Sequence, residues 1–313
     1  DTVNQIGGEL FFSPGSDISN PYSDLIYAFS NQEEAQFFEN YHYDVSPITD
    51  DRPFFFEYYK WSNIGQVISN PGHGGQVGAN RPVALVVLGS LFVSVVGLSG
   101  ILILLPLAIF RLNGLGVRHS PNIIGYFAVV GLAFMFIEIG MMQRFVLFLG
   151  HPGYSIPVVL TSLLISAGLG SLVSKHLSVA GRTRVAFCLI GIPIALLVVL
   201  LSMSTIFDAM LGQTLGIRVA VAVTILFIPG FLMGMPFPLG LSVVSQFGQS
   251  VIPWVYGVNS VASVLGAILV ILIAMELGFT VAIVAAAILY AAALALIWPL
   301  LSRSPVESSV QSE

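Results

Sequence analysis

The fold turns on how one stretch is read: Phe136-Ile137-Glu138-Ile139-Gly140-Met141-Met142-Gln143-Arg144-Phe145-Val146-Leu147-Phe148-Leu149-Gly150-His151-Pro152-Gly153-Tyr154. Long apolar runs flank it on both sides. Within it a carboxylate, an amide and a guanidinium form the densest polar group in the hydrophobic part of the chain. An ionisable side chain at membrane depth is costly and as a rule faces protein or water, often at a functional site. Glu138 and Arg144 are therefore candidate functional residues wherever their surroundings are membrane spans.

Composition supplies that condition. Of 313 residues, 56% are hydrophobic and 9% charged, against about 25% charged in an ordinary soluble domain. This is the composition of a membrane protein, not of a large soluble core. The one cysteine, Cys188, lies in an apolar run, where it reads as a small hydrophobe. The chain opens on Asp1 with no signal-like segment behind it, which reads as a processed or truncated product. Residues 1–61 hold eleven acids against two bases, and the rest of the chain five acids against nine bases. An aqueous region thus precedes a region in lipid.

The aqueous part, residues 1–61, reads as a short mixed α/β segment. Gly8-Glu9-Leu10-Phe11-Phe12 is strand-like and ends at the turn Ser13-Pro14-Gly15-Ser16. Ser30 or Asn31 can cap a helix with Glu33 and Glu34 in its first turn, running to about Tyr41. Sixty residues bury too little surface for an independent domain, so this segment reads as the end of a larger domain or a docked cap. Residues 62–81 are linker-like.

From 82 to 302 the expectation is an all-α polytopic membrane helix bundle, with a polar tail from 303 to 313. Spans of about twenty or more apolar residues fall at 82–110, 122–148, 155–174, 185–207, 218–245, 252–275 and 279–301, about seven in all. The fifth carries Pro229, Gly230, Gly234, Pro236, Pro238 and Gly240. It is either a broken helix, tolerated where protein or a watery cavity satisfies its freed carbonyls, or a proline kink that shapes the bundle. Ser166, Gly170 and Ser174, and likewise Asn259, Ser263 and Ala267, recur every four residues and mark close helix packing. Asn259 also needs a hydrogen-bond partner and stands as a candidate for substrate contact.

Arg111, Arg118 and His119, and then Lys175, Arg182 and Arg184, fall in loops two spans apart. The positive-inside rule makes that side cytoplasmic and puts residues 1–61 outside, in what is expected to be a bacterial inner membrane. No nucleophile elbow, Walker loop, dinucleotide turn or metal-ligand spacing is present in the sequence. The dispersed bases exclude a nucleic-acid footprint. The expected partners are the lipid bilayer and other membrane subunits or an upstream catalytic domain.

Asp50-Asp51-Arg52-Pro53 is the remaining polar group. It reads either as a site for a cationic amine against the following aromatics or as a self-paired surface turn. Glu138 and Arg144, six residues apart, do not face each other on a helix, so each needs another partner, whereas Met141 and Met142 share the Glu138 face. With Gln143 and Arg144 marking an interface, Glu138 is expected about a turn deep. Its expected role is anchoring the second and third spans through the turn at His151–Tyr154, ahead of proton or substrate handling.

Tyr43-Asp44-Val45-Ser46-Pro47-Ile48-Thr49-Asp50-Asp51-Arg52-Pro53-Phe54-Phe55-Phe56 resembles the segment that closes the catalytic domain of membrane-embedded spermidine-synthase-like proteins. The Glu138–Tyr154 stretch, Gly234-Met235-Pro236-Phe237-Pro238-Leu239-Gly240, and the run from Trp254 to Gly266 resemble their C-terminal spans. The resemblance extends from about Asn20 onward. It implies a Rossmann-like aminopropyltransferase or methyltransferase-type domain, using an adenosyl sulfonium cosubstrate, flanked by membrane helices. The glycine-rich nucleotide turn has no counterpart in this chain, so no cofactor is assigned to it and no catalytic residue is carried over. The expected function is an anchor or structural subunit of a membrane assembly. The alternatives are a carrier for a small polar or cationic solute, sited between Glu138, the fifth span and Asn259, and part of a membrane-bound transferase.

Overall fold

The computed structural model describes residues 21–41, 43–54, 60, 83–116, 119–177 and 182–301. They fall into two compact units. One comprises residues 1–49 and 54–83; the other comprises 50–53 and 84–313.

The first unit contains helices α1 (Pro21–Ser30) and α2 (Glu34–Asn40). The second matches the helix expected from Glu33 and Glu34, one residue shorter at its end; the first was not foreseen. Lys60 Nζ donates to the carbonyls of Phe38, Glu39 and Tyr41, at 2.6–2.7 Å. A cation there complements the negative end of α2 and its unsatisfied carbonyls. The expected strand at Gly8–Phe12, the linker at 62–81 and the tail at 303–313 lie outside the described residues. Among the described residues there is no strand, so the α/β mixture expected of this segment is not seen there.

Among its described residues the second unit has seven helices long and apolar enough to cross a membrane. The chain is an integral membrane protein by this measure. The first, Ala84–Phe110, runs through α3 (Val83–Ser99), a π-turn at Gly100–Leu104 and α4 (Leu105–Phe110). Pro106 explains the wide turn. It has no amide to donate and its ring crowds the carbonyl one turn back, so the backbone relaxes into an i→i+5 bond from Leu105 N to Gly100 O. The remaining spans are α5 (Ser120–Leu149), α6 (Pro152–Leu177), α7 (Arg182–Met210), the pair α8 (Leu215–Met233) and α9 (Pro236–Val244), α10 (Ile252–Leu277) and α11 (Phe279–Leu301).

Helix α5 is the hub. In its most apolar stretch 56% is buried by the rest of the bundle, against 6% for the first span. It meets α11 antiparallel: Asn122 Nδ2 donates to Leu296 O at 3.2 Å, Gly140 abuts Ile283, and Arg144 reaches Thr280. It meets α10 parallel, with Gly131 against Asn259 and Ser263, and Gly266 against Leu132 and Met135. The Asn259–Ser263 stripe is thus a packing face.

The Ser166–Gly170–Ser174 stripe packs too. A Cβ on Gly170 would overlap the Phe231 carbonyl, and one on Gly234 the Ala167 carbonyl. Without a hydrophobic drive between helices in lipid, such backbone-to-backbone approach is what holds two spans together. Gly234 and Met235 interrupt the fifth span as expected for a broken helix. Met235 N turns to Leu232 O at 3.2 Å, and Tyr126 Oη of α5 donates to Pro236 O at 2.7 Å.

Gly234→Leu is expected to lower the thermal unfolding midpoint in detergent, at a cost of about 1–3 kcal/mol, the range for overpacking a tight contact. Gly97→Leu, where an added Cβ meets nothing within 4 Å, is expected to leave the midpoint unchanged.

Candidate functional site

Only Gly278 separates α10 from α11, at φ +88°. Each helix end leaves backbone groups without intrahelical partners, and one glycine offers no side chain to cap them. The caps come from Asp51-Arg52. The Asp51 carbonyl accepts Phe279 N at 3.0 Å. Its Oδ1 accepts Thr280 N and Thr280 Oγ1, both at 2.8 Å. Arg144 Nη2 donates to the same Oδ1 at 2.7 Å and also meets Thr280 Oγ1. On the other side of the turn, Arg52 Nε donates to Met275 O at 3.1 Å, in the last turn of α10. The carboxylate therefore lies at the positive end of one helix and the guanidinium at the negative end of the other, both favoured by the helix dipoles. Charge-assisted bonds of this kind are the stronger ones, although Arg144 and Asp51 keep 23% and 31% of their side chains exposed and water screens them in part.

Gly278 also makes room for this docking. A Cβ there would overlap Asp51 Oδ2, and the left-handed φ disfavours any L side chain.

This geometry corrects two expectations for the Asp50–Pro53 loop. Asp51 is not in a self-paired surface turn, because its partners are Arg144, Phe279 and Thr280. Nor do Asp50 and Asp51 act as a carboxylate pair. Asp51 turns to α11, whereas Asp50 borders a cavity of about 230 Å³ shared with Arg144, Phe148, Met203, Phe207 and Asp208. Phe148 and Phe207 stack in its wall with centroids 4.2 Å apart. Arg218 Nη1 closes the end of α5 by donating to Phe148 O at 3.0 Å.

Arg144 has the partner its position demanded. Glu138 has none among the described residues, though it is only 6% exposed. Helix α5 continues past Arg144 to Leu149, which puts Glu138 about 17 Å from that end at 1.5 Å per residue. Glu138 makes no bond to α6 or to the turn that leads into it, so the anchoring role expected of it is not seen among the described residues. The turn into α6 is held by other groups: Gly150 at φ +87°, His151 Nδ1 accepting Gly153 N, and Ser155 Oγ donating to Met142 O.

Asn259 packs its amide against Gly131 and makes no side-chain hydrogen bond among the described residues. The break in the fifth span meets α5 at Tyr126. Glu138, Asn259 and the break are thus strung along roughly 18 Å of α5 instead of forming one site.

Arg144, Asp51 and Arg52 come together; Glu138 and Asn259 do not join them. Thr280, Gly278, Asp208 and Arg218 were not singled out from the sequence. The signal for the first two was a turn between spans too short to cap itself. No family model, curated protein or solved structure matches the chain.

Asp51→Ala is expected to cost about 1.5–3 kcal/mol of stability, the range for hydrogen bonds to a charged group, read as a lower unfolding midpoint. In a double-mutant cycle with Arg144→Ala the two losses are expected to be less than additive. Asp50→Ala, at an exposed position without these bonds, is expected to leave the midpoint within experimental scatter.

Proposed function

We propose that this chain is the membrane platform of a spermidine-synthase-like protein, a helix bundle that mounts an aqueous domain and carries no catalysis of its own. The observation that supports this is the assignment of Asp51-Arg52. These residues lie near the end of the stretch that resembles the end of the family's catalytic domain, yet both charges are committed to the ends of two membrane helices. A carboxylate oxygen that already accepts from Arg144 and twice from Thr280 is a poor base and a poor nucleophile. As a mounting point it is well made. Asp50–Pro53 groups with the bundle although the residues on either side of it group with the N-terminal unit.

An adenosyl sulfonium cosubstrate would then belong to a domain preceding the bundle. The partners are the bilayer and that domain or another membrane subunit. If the membrane is a bacterial inner membrane, as expected, the charge bias would put the 111–119 and 175–184 loops in the cytoplasm. The Asp51 junction, at the other end of the spans, would face outward. The solute-carrier reading ranks second, because Glu138, Asn259 and the break in the fifth span are spread along the bundle.

The test is limited proteolysis of the full chain in native membranes, comparing wild type with the double variant Asp51→Asn, Arg52→Gln. Faster cleavage within residues 1–82, with the 84–301 region still protected, is the expected result. An unchanged cleavage pattern would count against the mount. Vesicle uptake of polyamines or amino acids that is lost in Glu138→Gln would favour the carrier instead.

A further inference from the structure

Glu138 is the one ionisable group of α5 that the platform does not use. It is buried, far from either end of its helix, and among the described residues no cation or donor pairs with it. The elements packed against α5 do not compensate it. Helix α6 carries no charge before Lys175, and α9 and α11 carry none at all. In α10 the one charged residue is Glu276, at its end, and in α8 it is Arg218, in its first turn; α7 has Arg182, Arg184 and Asp208 near its ends.

On α5 itself the nearest charge is Arg144, which is held by Asp51. The titratable groups of the core lie elsewhere. Tyr126 donates to Pro236 O, Cys188 sits against Met235, and Tyr290 is about two turns along α11 from Ile283, the residue that meets Gly140. The polar groups on the Glu138 face of α5 are uncharged: Ser155 Oγ at the Met142 carbonyl, and Asn259 and Ser263 at Gly131. A carboxylate with so little surface left and no partner loses most of its hydration with little to offset the loss, whereas the neutral acid does not.

We propose that Glu138 is a proton-binding site inside the membrane bundle, neutral while the bundle is closed and able to release its proton only when water reaches mid-span. The platform role does not require this, and the test does not involve the Asp51 junction. The ligand is the proton, and the site couples the charge of α5 to the opening of the helices around it.

The full chain in membranes is treated at neutral pH with dicyclohexylcarbodiimide, which enters apolar regions and reacts with protonated carboxyls, and the modified peptides are read by mass spectrometry. The expected result is an adduct on Glu138 that is absent from Glu138→Gln. A water-soluble carbodiimide should modify exposed acids such as Asp50 and leave Glu138 intact. Infrared difference spectra should show a neutral-carboxyl band in wild type that the Gln variant loses. The wild-type adduct decides the matter even where the variant does not fold. Absence of both adduct and band would overturn the proposal. Protection of Glu138 by sodium chloride but not by choline chloride would also overturn it, in favour of a metal-cation site.

Discussion

In this bundle two helix ends meet at a single residue. Helix α10 stops at Leu277 and α11 starts at Phe279, so the connection has neither the length nor the side chains to satisfy the carbonyls on one side and the amides on the other. At the edge of an apolar bundle such groups need partners from protein or water. The α5–α6 turn shows the local solution. There Gly150 N returns to Val146 O, His151 Nδ1 accepts Gly153 N, and His151 O accepts the amides of Tyr154 and Ser155. The α10–α11 turn imports its caps from 223 and 229 residues away in sequence, and their charges match the two dipole ends. That dependence makes a loop ahead of the first span an integral part of the bundle.

The spans were legible because hydropathy and length are local properties. The span expected at 122–148 is observed at Ser120–Leu149, and the last, expected at 279–301, at Phe279–Leu301. The small-residue stripes were legible for a related reason, since a four-residue repeat fixes one face of a helix wherever its neighbour comes from. The π-turn was overlooked although Pro106 announces it, because an uncharged run of that length reads as one uninterrupted helix. The partner of Arg144 could not be read at all. The sequence shows that a guanidinium in an apolar segment needs a counter-charge, but the choice of Asp51 depends on a tertiary approach across the bundle.

The fifth span shows how proline chemistry becomes structure. Pro236 and Pro238 each remove an amide, so the ladder cannot pass through them unbroken. The chain ends α8 at Met233, takes a tighter bond from Met235 to Leu232, and restarts with Pro236 in the first turn of α9, where a missing amide costs nothing. Glycines 230 and 234 bring this break against α6, and the Tyr126 hydroxyl covers the Pro236 carbonyl. Every polar group named at the break is met by protein, which is the behaviour of a structural kink more than of an open binding site.

Arg144 and Glu138 lie on the same helix, about 9 Å apart along its axis, and that distance separates their roles. Arg144 is near enough to the end of α5 for a loop to reach it, so its charge is balanced by Asp51 and becomes part of the junction. Glu138 lies where only helices pass, and those helices carry no charge at that depth. Among the described residues no side chain supplies it with a counter-ion in this arrangement. A residue used only for packing would be served as well by leucine or glutamine, with no ionisable group to enclose. On the proposal made above, opening of the bundle is the event that would change the charge of Glu138.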